Sequence, residues 1–532
     1  MQTRKSKNPV TALNNPMKEL RNGEKFRNLF ILDIANNHQG DVEHGIRIIR
    51  EHAKIVRGKG VRAAIKFQFR NLPEFIHPTA RRKSHNKNVD RFLSTQISWA
   101  SFEKMVAVAR EESLLTVCTP FDEASVQKVV EMKFDYLKIA SCSARDWPLL
   151  EKATAAGLPI IASTGGLTES EVDDLVSFLT HRGCEFALMH CVSLYPTPEE
   201  SSNLSNIAGL RKRYPGRVVG WSTHESPQET VFVGLAWALG AEIFERHIGL
   251  EQGSYKLNSY SSSPSQIDSW LAAYKRTLTI LGSCSRLAPT KHEMSALQGL
   301  ERGVFARSDL QEGDFLFLNQ VLFAFPKDNG QLSVSQWKAD VVCCRPISAG
   351  FPIMMDSIKI PEDRLDIFLK QAIHEVKALL AYAGIALNHE FVTEYSHHYG
   401  VRNFRNTGAV LISVILRSYA KKIIVQLPGQ KHPQHYHKLK EETFQVLWGR
   451  LLIEVDGRKM ELSPGDTLTV LPGVWHGFSS PEGSVFEEIS STAYPNDSVY
   501  QDPKINQTSE HQRKTIVDHW GRFQIQEQIY KD

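Results

Sequence analysis

Polar side chains that could bind an anion beside a metal ion end the short apolar runs in the first half of the chain. Two are lysines, Lys66 and Lys138, and two are histidines, His224 and His247. The others are amides and hydroxyls: Asn37, Gln68, Thr119, Ser141, Ser163 and Ser222. Ammonium groups among hydroxyls and backbone N–H groups bind phosphate and carboxylate, and two imidazoles can hold a divalent ion with open positions. The alternative is that one lysine pairs with a carboxylate such as Asp33.

A second set of possible metal ligands lies in residues 429–480. His435 and His437 are separated by one residue, Glu442 follows, and His476 comes after a later glycine turn. Side chains two residues apart on a strand point the same way, so both first imidazoles can face one ion. Three imidazoles and one carboxylate inside a small β-barrel can bind a divalent metal with open positions. The alternative is a structural barrel without metal.

The elements that would position the first set alternate between strand-like and helix-like segments. Strand-like runs occupy residues 30–37, 63–68, 115–120, 136–141, 159–164, 186–193, 217–223 and 243–248. Eight strand–helix units are typical of a (β/α)8 TIM barrel, whose chemistry lies at the C-terminal ends of the strands. Histidines at the ends of the seventh and eighth strands would be neighbours there. We expect this barrel to span residues 27–285.

The rest of the chain predicts further domains, which makes the protein a multidomain α/β chain. Short strand-like pieces with glycine turns indicate a small β-rich domain over residues 295–360. An amphipathic linker helix is predicted over residues 362–385, and a β-barrel or jelly roll over residues 386–500. Residues 1–26 are predicted to be a flexible arm and residues 501–532 a polar tail.

Composition excludes several classes of protein. The 532 residues carry a formal net charge of +4 and contain no basic tract of the nucleic-acid-binding type. No apolar run approaches the roughly 18 residues that a membrane span needs, and no secretory signal opens the chain. The seven cysteines show no paired framework, which favours reduced thiols in a cytoplasmic protein. The adjacent Cys343 and Cys344 are predicted to be strand residues.

Motifs across residues 30–285 resemble the sialic acid synthase family. They are IANNHQGD (34–41), IKFQ (65–68), YLKIAS (136–141), ASTGG (162–166), MHCVSLYPTPEESSNL (189–204), GWSTHE (220–225) and GAEIFERHIGLE (240–251). The resemblance implies condensation of phosphoenolpyruvate with an aldose such as N-acetylmannosamine. It implies Mn2+ or Mg2+ on the two histidines and phosphoenolpyruvate on the two lysines. It also implies active-site roles for Tyr195, Asp33 and Glu251.

The chain departs from the usual pattern of that family at several positions. Asp33 stands where relatives usually carry Glu, while Thr223 and Glu251 stand where they carry Asp. Ser143 and Asp146 stand where relatives carry Glu and Asn, at the place where the sugar would sit. We therefore expect an intact phosphoenolpyruvate half of the site, an altered acceptor half and an acceptor other than N-acetylmannosamine.

Residues 295–360 resemble the antifreeze-like (SAF) domain that follows the barrel in these enzymes. That resemblance implies a domain-swapped homodimer, in which the domain carries an arginine into the active site of the partner. The corresponding stretch here is FAFPKDNG (323–330), which contains no arginine. Lys327 is the nearest cation.

The second ligand set resembles the two-motif signature of the cupin family, although Leu471 and Ser480 stand where proline and asparagine are common. Residues 418–449 resemble more closely the cupin-type sugar isomerases of the lyxose isomerase kind. Lys440 lies beside the ligands, where a basic residue could transfer a proton. A sugar-binding or regulatory cupin is one alternative, and a redox cupin such as a dioxygenase is another.

These features together predict a metal-dependent synthase with a second divalent metal in its cupin. The synthase would join phosphoenolpyruvate to an aldose, giving a nonulosonic acid of the sialic type for surface carbohydrate and releasing phosphate. No nucleic acid or membrane is expected as a partner. The alternative is a non-catalytic sugar-binding barrel that acts as a scaffold for an active, metal-dependent cupin sugar isomerase.

Overall fold

The structure is a computed structural model that describes residues 24–82, 85–283, 287–361, 365–387, 391–491 and 497–518. These residues form two compact units, one ending at Leu287 and the other beginning at Ala288. Most of the predicted arm (1–23), the end of the predicted tail (519–532) and Cys284 lie outside the described residues. The six described cysteines are unpaired.

The first unit contains a closed barrel of eight parallel strands, paired in chain order, so the predicted TIM-barrel class is confirmed. The strands are β1 (Leu29–Asp33), β2 (Arg62–Phe69), β3 (Leu115–Pro120), β4 (Tyr136–Ile139), β5 (Ile160–Ser163), β6 (Phe186–Cys191), β7 (Val219–Thr223) and β8 (Ile243–His247).

Helices follow the strands of the barrel, and all of them except the short α2, α3 and α4 contribute apolar faces to its outer core. They are α1 (Val42–Lys59), α2 (Leu72–Phe75), α3 (Pro78–Arg82), α4 (Lys87–Ser94), α5 (Trp99–Glu111), α6 (Glu123–Glu131), α7 (Trp147–Ala155), α8 (Glu169–His181), α9 (Asn206–Arg213), α10 (Val231–Ala238) and α11 (Pro264–Leu281). The cap of α8 follows from its sequence, because Thr168 and Glu171 form a capping box.

Alternation along each strand separates the inner core of the barrel from the layer of helices. Residues such as Phe30 and Leu32 belong to the outer core, whereas Ile31, between them, belongs to a separate inner cluster. The inner cluster also contains Ala64, Val117, Tyr136, Ile161 and Ile243. Two residues further along their strands, on the same side of the pleat, come Asp33, Lys66, Thr119, Lys138, Ser163 and Glu245. The strands that fill the core therefore also deliver polar groups to its C-terminal end.

Strand register places Asp33, Lys66 and His247 side by side. Asp33, the last residue of β1, is paired with Lys66 of β2 on one side and with His247 of β8 on the other. On the next pair of strands, Ser222 of β7 is paired with Glu245 of β8. Asp33, Lys66, His247, Ser222 and Glu245 therefore lie close together at the C-terminal end of the barrel.

The second unit begins with α12 (Lys291–Gln298) and a small β-rich part around its own apolar core. Its strands are β9 (Gly303–Ala306), β10 (Val321–Ala324), β11 (Val342–Cys343) and β12 (Ile358–Lys359). Cys343 lies in β11 as predicted, but Cys344 follows the strand and is exposed. The strand prediction is therefore wrong for Cys344, because the two-residue strand ends before it.

A long helix and two antiparallel sheets form the rest of this unit. The helix, α13 (Leu365–Ala383), shares an apolar cluster with the larger sheet through Val376 and Leu380. The larger sheet has seven strands and the smaller has five. The strands are β13 (Val392–Ser396), β14 (Ala409–Leu416), β15 (Tyr419–Gln426), β16 (Lys431–His437), β17 (Glu442–Gly449), β18 (Leu451–Val455), β19 (Arg458–Leu462), β20 (Thr467–Val470), β21 (His476–Ser479), β22 (Ser484–Ser491), β23 (Ser498–Tyr500) and β24 (Lys514–Asp518).

Residues predicted to be a polar tail contribute regular structure to this unit. After two short helices, α14 (Pro503–Gln507) and α15 (Glu510–Arg513), strand β24 pairs antiparallel with β13 at the edge of the larger sheet. In the part of the chain that the structure describes, no helix is both long enough and apolar enough to cross a membrane.

Candidate functional site

Lys66 and Lys138 meet in a buried ion-pair network at the C-terminal end of the barrel. Lys66 Nζ lies 2.7 Å from Glu245 Oε1 and 3.1 Å from Asp33 Oδ2. Lys138 Nζ lies 3.5 Å from Glu245 Oε2 and donates a hydrogen bond to Ser163 Oγ at 2.5 Å. The two lysines therefore point to the same place. The ion pair of Lys66 with Asp33, which the sequence offered as the alternative to substrate binding, is also present.

Glu245 joins both lysines, and sequence reasoning did not single it out. It also accepts a hydrogen bond from Ser222 Oγ at 3.0 Å. The signal was available, because Glu245 lies two residues before His247 on a strand whose alternate residues face the interior. A charged residue at such an inward position needs a partner, and the lysines that point inward from β2 and β4 supply it.

The charges of this network depend on one another. Burial opposes ionisation of Glu245, but Lys138 and Lys66 outweigh it and hold the pKa of the carboxyl well below its usual range. Burial also opposes protonation of Lys66, but Asp33 and Glu245 outweigh it and raise the pKa of the ammonium. For Lys138, burial prevails and lowers the pKa. The formal charges of these two lysines and two carboxylates cancel.

His224 and His247 stand together beside this network, with ring centroids 5.3 Å apart. His224 Nδ1 donates to the carbonyl oxygen of Val192 at 3.0 Å, which leaves its Nε2 free to bind a metal. His247 Nδ1 is buried without a hydrogen-bond partner and lies 3.4 Å from Asp33 Oδ2. Burial lowers the pKa of His224 to about 3 and also lowers the pKa of His247. Two neutral imidazoles with an orphaned ring nitrogen fit a divalent ion with open positions.

Two tyrosines lie beside the histidine pair. The ring of Tyr195 lies 4.2 Å from that of His224, and burial raises the pKa of its hydroxyl, so the phenol stays protonated. Tyr260, which sequence reasoning missed, lies 5.3 Å from Tyr195 and 5.3 Å from His247. Tyr260 belongs to the loop after β8, where no periodic pattern indicates which side chains turn inward.

The other predicted substrate-binding residues divide into two groups. Gln68 donates to Asp33 Oδ2 at 3.1 Å, and the buried hydroxyl of Thr119 has no hydrogen-bond partner. Gln68, Ser163 and Ser222 contact the ion-pair network, and Thr119 lies at the same end of the barrel. The remaining three have other contacts: Asn37 donates to Ile248 O and Ser261 Oγ, Ser141 Oγ contacts Cys191 Sγ, and the exposed Glu251 accepts from the Leu257 N–H.

Three positions where the sequence departs from the pattern of the family that it resembles are Asp146, Ser143 and Thr223. Asp146 caps α7, accepting a hydrogen bond from the backbone N–H of Leu149, and Ser143 is buried in a short 3-10 turn. Thr223 is buried at the end of β7, and its hydroxyl has no hydrogen-bond partner. Ser143 and Thr223 therefore offer hydroxyls where a carboxylate was expected, whereas Asp146 offers a carboxylate that is used in capping α7.

The predicted second ligand set forms one compact cluster. Ligand atoms of His435, His437, Glu442 and His476 all lie within 4.8 Å of one another, and all four residues are buried. Within the described ranges this is the one cluster of three or more such ligands. His437 Nε2 and His476 Nε2 lie 3.2 and 3.1 Å from the Glu442 carboxylate.

Backbone contacts orient the imidazoles of this cluster. His435 Nδ1 bonds the carbonyl oxygen of Pro433 and His476 Nδ1 that of Val474, each at 3.1 Å. Both Nε2 atoms are thereby left for a metal, as is usual for a metal-binding histidine. The arrangement fits a divalent ion held by three imidazoles and one carboxylate.

A lysine and a second carboxylate adjoin this cluster. Lys440 Nζ contacts Glu442 Oε1 closely and lies 3.2 Å from Glu488 Oε1. Burial opposes the charge on Lys440, but Glu488 and Glu442 outweigh it and raise the pKa of the ammonium. Glu488 also accepts from Ser490 Oγ at 2.9 Å. Sequence reasoning missed Glu488, which faces inward from β22.

Comparison with known proteins identifies a family domain in each of the two units. Residues 57–285 match the model of the NeuB family, and residues 423–487 match that of the cupin domain. The crystal structure of the Chromobacterium violaceum protein assigned as spore coat polysaccharide biosynthesis protein E is 39% identical, with a TM-score of 0.60. That match covers 63% of this chain and 100% of the other.

Two curated relatives are more distant. N-acetylneuraminate-9-phosphate synthase of Drosophila melanogaster is 32% identical over 233 residues, which cover 42% of this chain and 60% of that protein. N,N'-diacetyllegionaminic acid synthase of Campylobacter jejuni is 23% identical over 299 residues, which cover 54% and 87%. Residues 57–285 therefore form a NeuB family domain, and a cupin domain follows it in the chain.

Proposed function

We propose that the barrel condenses phosphoenolpyruvate with an aldose and releases phosphate, forming a nonulosonic acid. One observation carries the proposal: His224, His247, Lys66 and Lys138 face a single buried centre. Two relatives named as synthases of N-acetylneuraminate 9-phosphate and of N,N'-diacetyllegionaminic acid support the same reaction class.

The residues at the centre suit the two anionic groups of phosphoenolpyruvate. Lys66 and Lys138, with Ser163 and Ser222 beside them, are positioned to donate hydrogen bonds to phosphate and carboxylate oxygens. Since the charges of the network cancel, the pocket needs a further cation. A Mn2+ or Mg2+ ion on the two imidazoles would supply that positive charge and Lewis-acid stabilisation of the developing alkoxide.

The proposed reaction forms one carbon–carbon bond and one carbon–oxygen bond to water, and it breaks the carbon–oxygen bond to phosphate. C3 of phosphoenolpyruvate attacks the aldehyde carbon, water adds at C2, and the bond from C2 to the phosphate oxygen then breaks. Asp33 Oδ2, which faces Lys66, Gln68 and His247, would accept the proton that the water loses. The protonated phenol of Tyr195, beside His224, would donate to the aldehyde oxygen.

The acceptor side supports a sugar other than N-acetylmannosamine. Ser143 and Asp146 stand where relatives carry Glu and Asn, and Asp146 is engaged in capping α7. The segment 323–330, which would bring an arginine from the antifreeze-like domain, contains none. We also propose that residues 295–360 form an antifreeze-like domain and that the chain forms a domain-swapped homodimer. A cytoplasmic location is proposed as well, and the unpaired cysteines suit it.

Phosphate release from phosphoenolpyruvate tests this function. The full chain with Mn2+ or Mg2+ should release phosphate in the presence of one or more N-acetylated mannose-, gulose- or altrose-type aldoses. No release with any of them would leave the barrel as the non-catalytic sugar-binding scaffold of the alternative. Equal or faster turnover with N-acetylmannosamine than with every other sugar would refute the altered acceptor.

A second function, aldose–ketose isomerisation by the cupin, is favoured by the pair Lys440–Glu488 beside the four ligands. Isomerisation moves a proton between neighbouring carbons, and an ammonium paired with a carboxylate is suited to that transfer. Lys440→Met and Glu488→Gln should leave bound metal unchanged and abolish interconversion of aldoses as followed by NMR. His437→Ala should lose the metal. A wild-type chain that interconverts no aldose would refute the activity and leave a sugar-binding or regulatory cupin.

A further inference from the structure

A small open cavity of about 40 Å3 adjoins the barrel centre beside the ends of β1 and β2. Its polar lining includes Asn36, Gln68, Arg70, Thr95 and Gln96. Arg70 is the one cation in that lining, and none of the lining residues is acidic. His38, which also lines the cavity, is neutral because burial lowers its pKa to about 4. The cavity is therefore positively charged.

Arg70 is held in place by aromatic rings rather than by an acid. Its guanidinium carbon lies 3.7 Å from the ring centroid of Phe121 and 4.1 Å from that of Phe92. Its Nη2 donates to Gln68 Oε1 at 3.2 Å, while its buried Nε has no hydrogen-bond partner. Arg70 forms no ion pair with a carboxylate among the described residues, although Asp33 and Asp122 are close enough to favour its charge.

A charge in this position is costly without an anion. Burial lowers the pKa of Arg70 to about 10, so the group stays protonated at neutral pH. Cation–π contacts offset part of the cost of desolvation but use none of the five N–H donors. A planar guanidinium with unused donors is the group that binds phosphate and carboxylate best. The cavity thus lacks the ligand that its one charge requires.

Gln68 connects this cavity to the reacting centre. Its amide nitrogen donates to Asp33 Oδ2 at 3.1 Å, and its amide oxygen accepts from Arg70. A molecule that reacts beside Asp33 can therefore reach Arg70 across one side chain. The anionic groups of phosphoenolpyruvate already have Lys66 and Lys138, which leaves Arg70 for the other substrate.

We propose that Arg70 binds an anionic group on the acceptor aldose, a phosphate ester or a carboxylate, so that the enzyme uses a charged sugar. This inference rests on the proposed synthase function. The competing explanation is that Arg70 only packs the loop and helix that carry Phe121 and Phe92. A packing role makes no distinction between charged and neutral sugars.

Calorimetric titration of the full chain without phosphoenolpyruvate separates the two explanations. The probes are N-acetylated mannose- and gulose-type aldoses, each as the free sugar, the 6-phosphate and the 6-carboxylate. The wild type should bind at least one charged form about tenfold or more tightly than its neutral sugar. Arg70→Met should remove that preference and change the affinity for the neutral sugar less than twofold. Which charged form benefits identifies phosphate or carboxylate as the bound group.

A matched control is Arg81→Met, because Arg81 binds the backbone oxygens of Leu72 and Ile76 instead of lining the cavity. Arg81→Met should keep the preference for the charged sugar. Equal binding of charged and neutral sugars by the wild type overturns the inference, and so does an equal loss for all forms in Arg70→Met. Phosphate release reports separately on the proposed function: charged sugar bound through Arg70 without any turnover contradicts the synthase activity alone.

Discussion

Replacing Glu245 by Gln should destabilise the barrel strongly. The change keeps the shape of the side chain and removes the charge that faces Lys66 at 2.7 Å and Lys138 at 3.5 Å. Lys66 keeps Asp33, but Lys138 has no other carboxylate within ion-pair distance among the described residues. Removing one partner of a buried ion pair costs about 3–5 kcal/mol, because the other charge is left buried and unpaired.

That cost converts to a large shift of the thermal midpoint. For a unit of this size each kcal/mol lowers the midpoint by about 2–4 °C, so the barrel transition should fall by about 6–20 °C. Calorimetry of the full chain measures it, with the barrel transition assigned through a core variant such as Phe244→Ala. The control is Glu51→Gln on α1, which removes an exposed pair with Lys54 at 2.6 Å. An exposed pair contributes at most about 1 kcal/mol.

Anions provide a second readout of the same substitution. Without Glu245 the centre carries an excess positive charge, so inorganic phosphate should raise the midpoint of Glu245→Gln more than that of the wild type. A variant that melts within about 2 °C of the wild type would refute the reasoning. So would an equal response of both proteins to phosphate.

Three further predictions concern the histidines. His224→Ala and His247→Ala should each abolish phosphate release, whereas His435→Ala should retain it; loss in all three variants would contradict separate metal centres. Chelation of divalent ions should stop the barrel reaction, and added Mn2+ or Mg2+ should restore it. Burial lowers the pKa of His52 on α1 from 6.5 to about 4, so the unfolded chain binds that proton first and stability falls as the pH drops through this range. His52→Gln should make that loss shallower by up to about 1.4 kcal/mol per pH unit in acid unfolding curves, and an unchanged slope would contradict the pKa.

The TIM barrel could be predicted from the sequence because its strands end in recognisable polar residues. Period-two alternation also places the side chains correctly: Ile31 and Asp33 differ by two residues and share the inward side. The clustering of the cupin residues was predictable for the same reason, since His435 and His437 are two residues apart on one strand and point the same way. Local spacing therefore identifies residues that share a strand or adjacent strand ends.

Partners from distant parts of the chain were harder to predict. From the sequence, Lys66 could be expected either to bind substrate or to pair with Asp33. In the structure Lys66 pairs with Asp33 and also lies close to Lys138, because Glu245 contacts both lysines. Arg70 has no motif, since its role depends on rings that approach from α4 and from the loop after β3. Strand β24 was predicted as a polar tail, because an edge strand needs few apolar residues.

A crystal structure of the full chain with Mn2+ and phosphoenolpyruvate tests the central claim most directly. Anomalous scattering should locate Mn2+ between the imidazoles of His224 and His247, with the phosphate and carboxylate within hydrogen-bond distance of Lys66 and Lys138. Mn2+ bound in the cupin alone, or phosphoenolpyruvate bound away from both lysines, would contradict it.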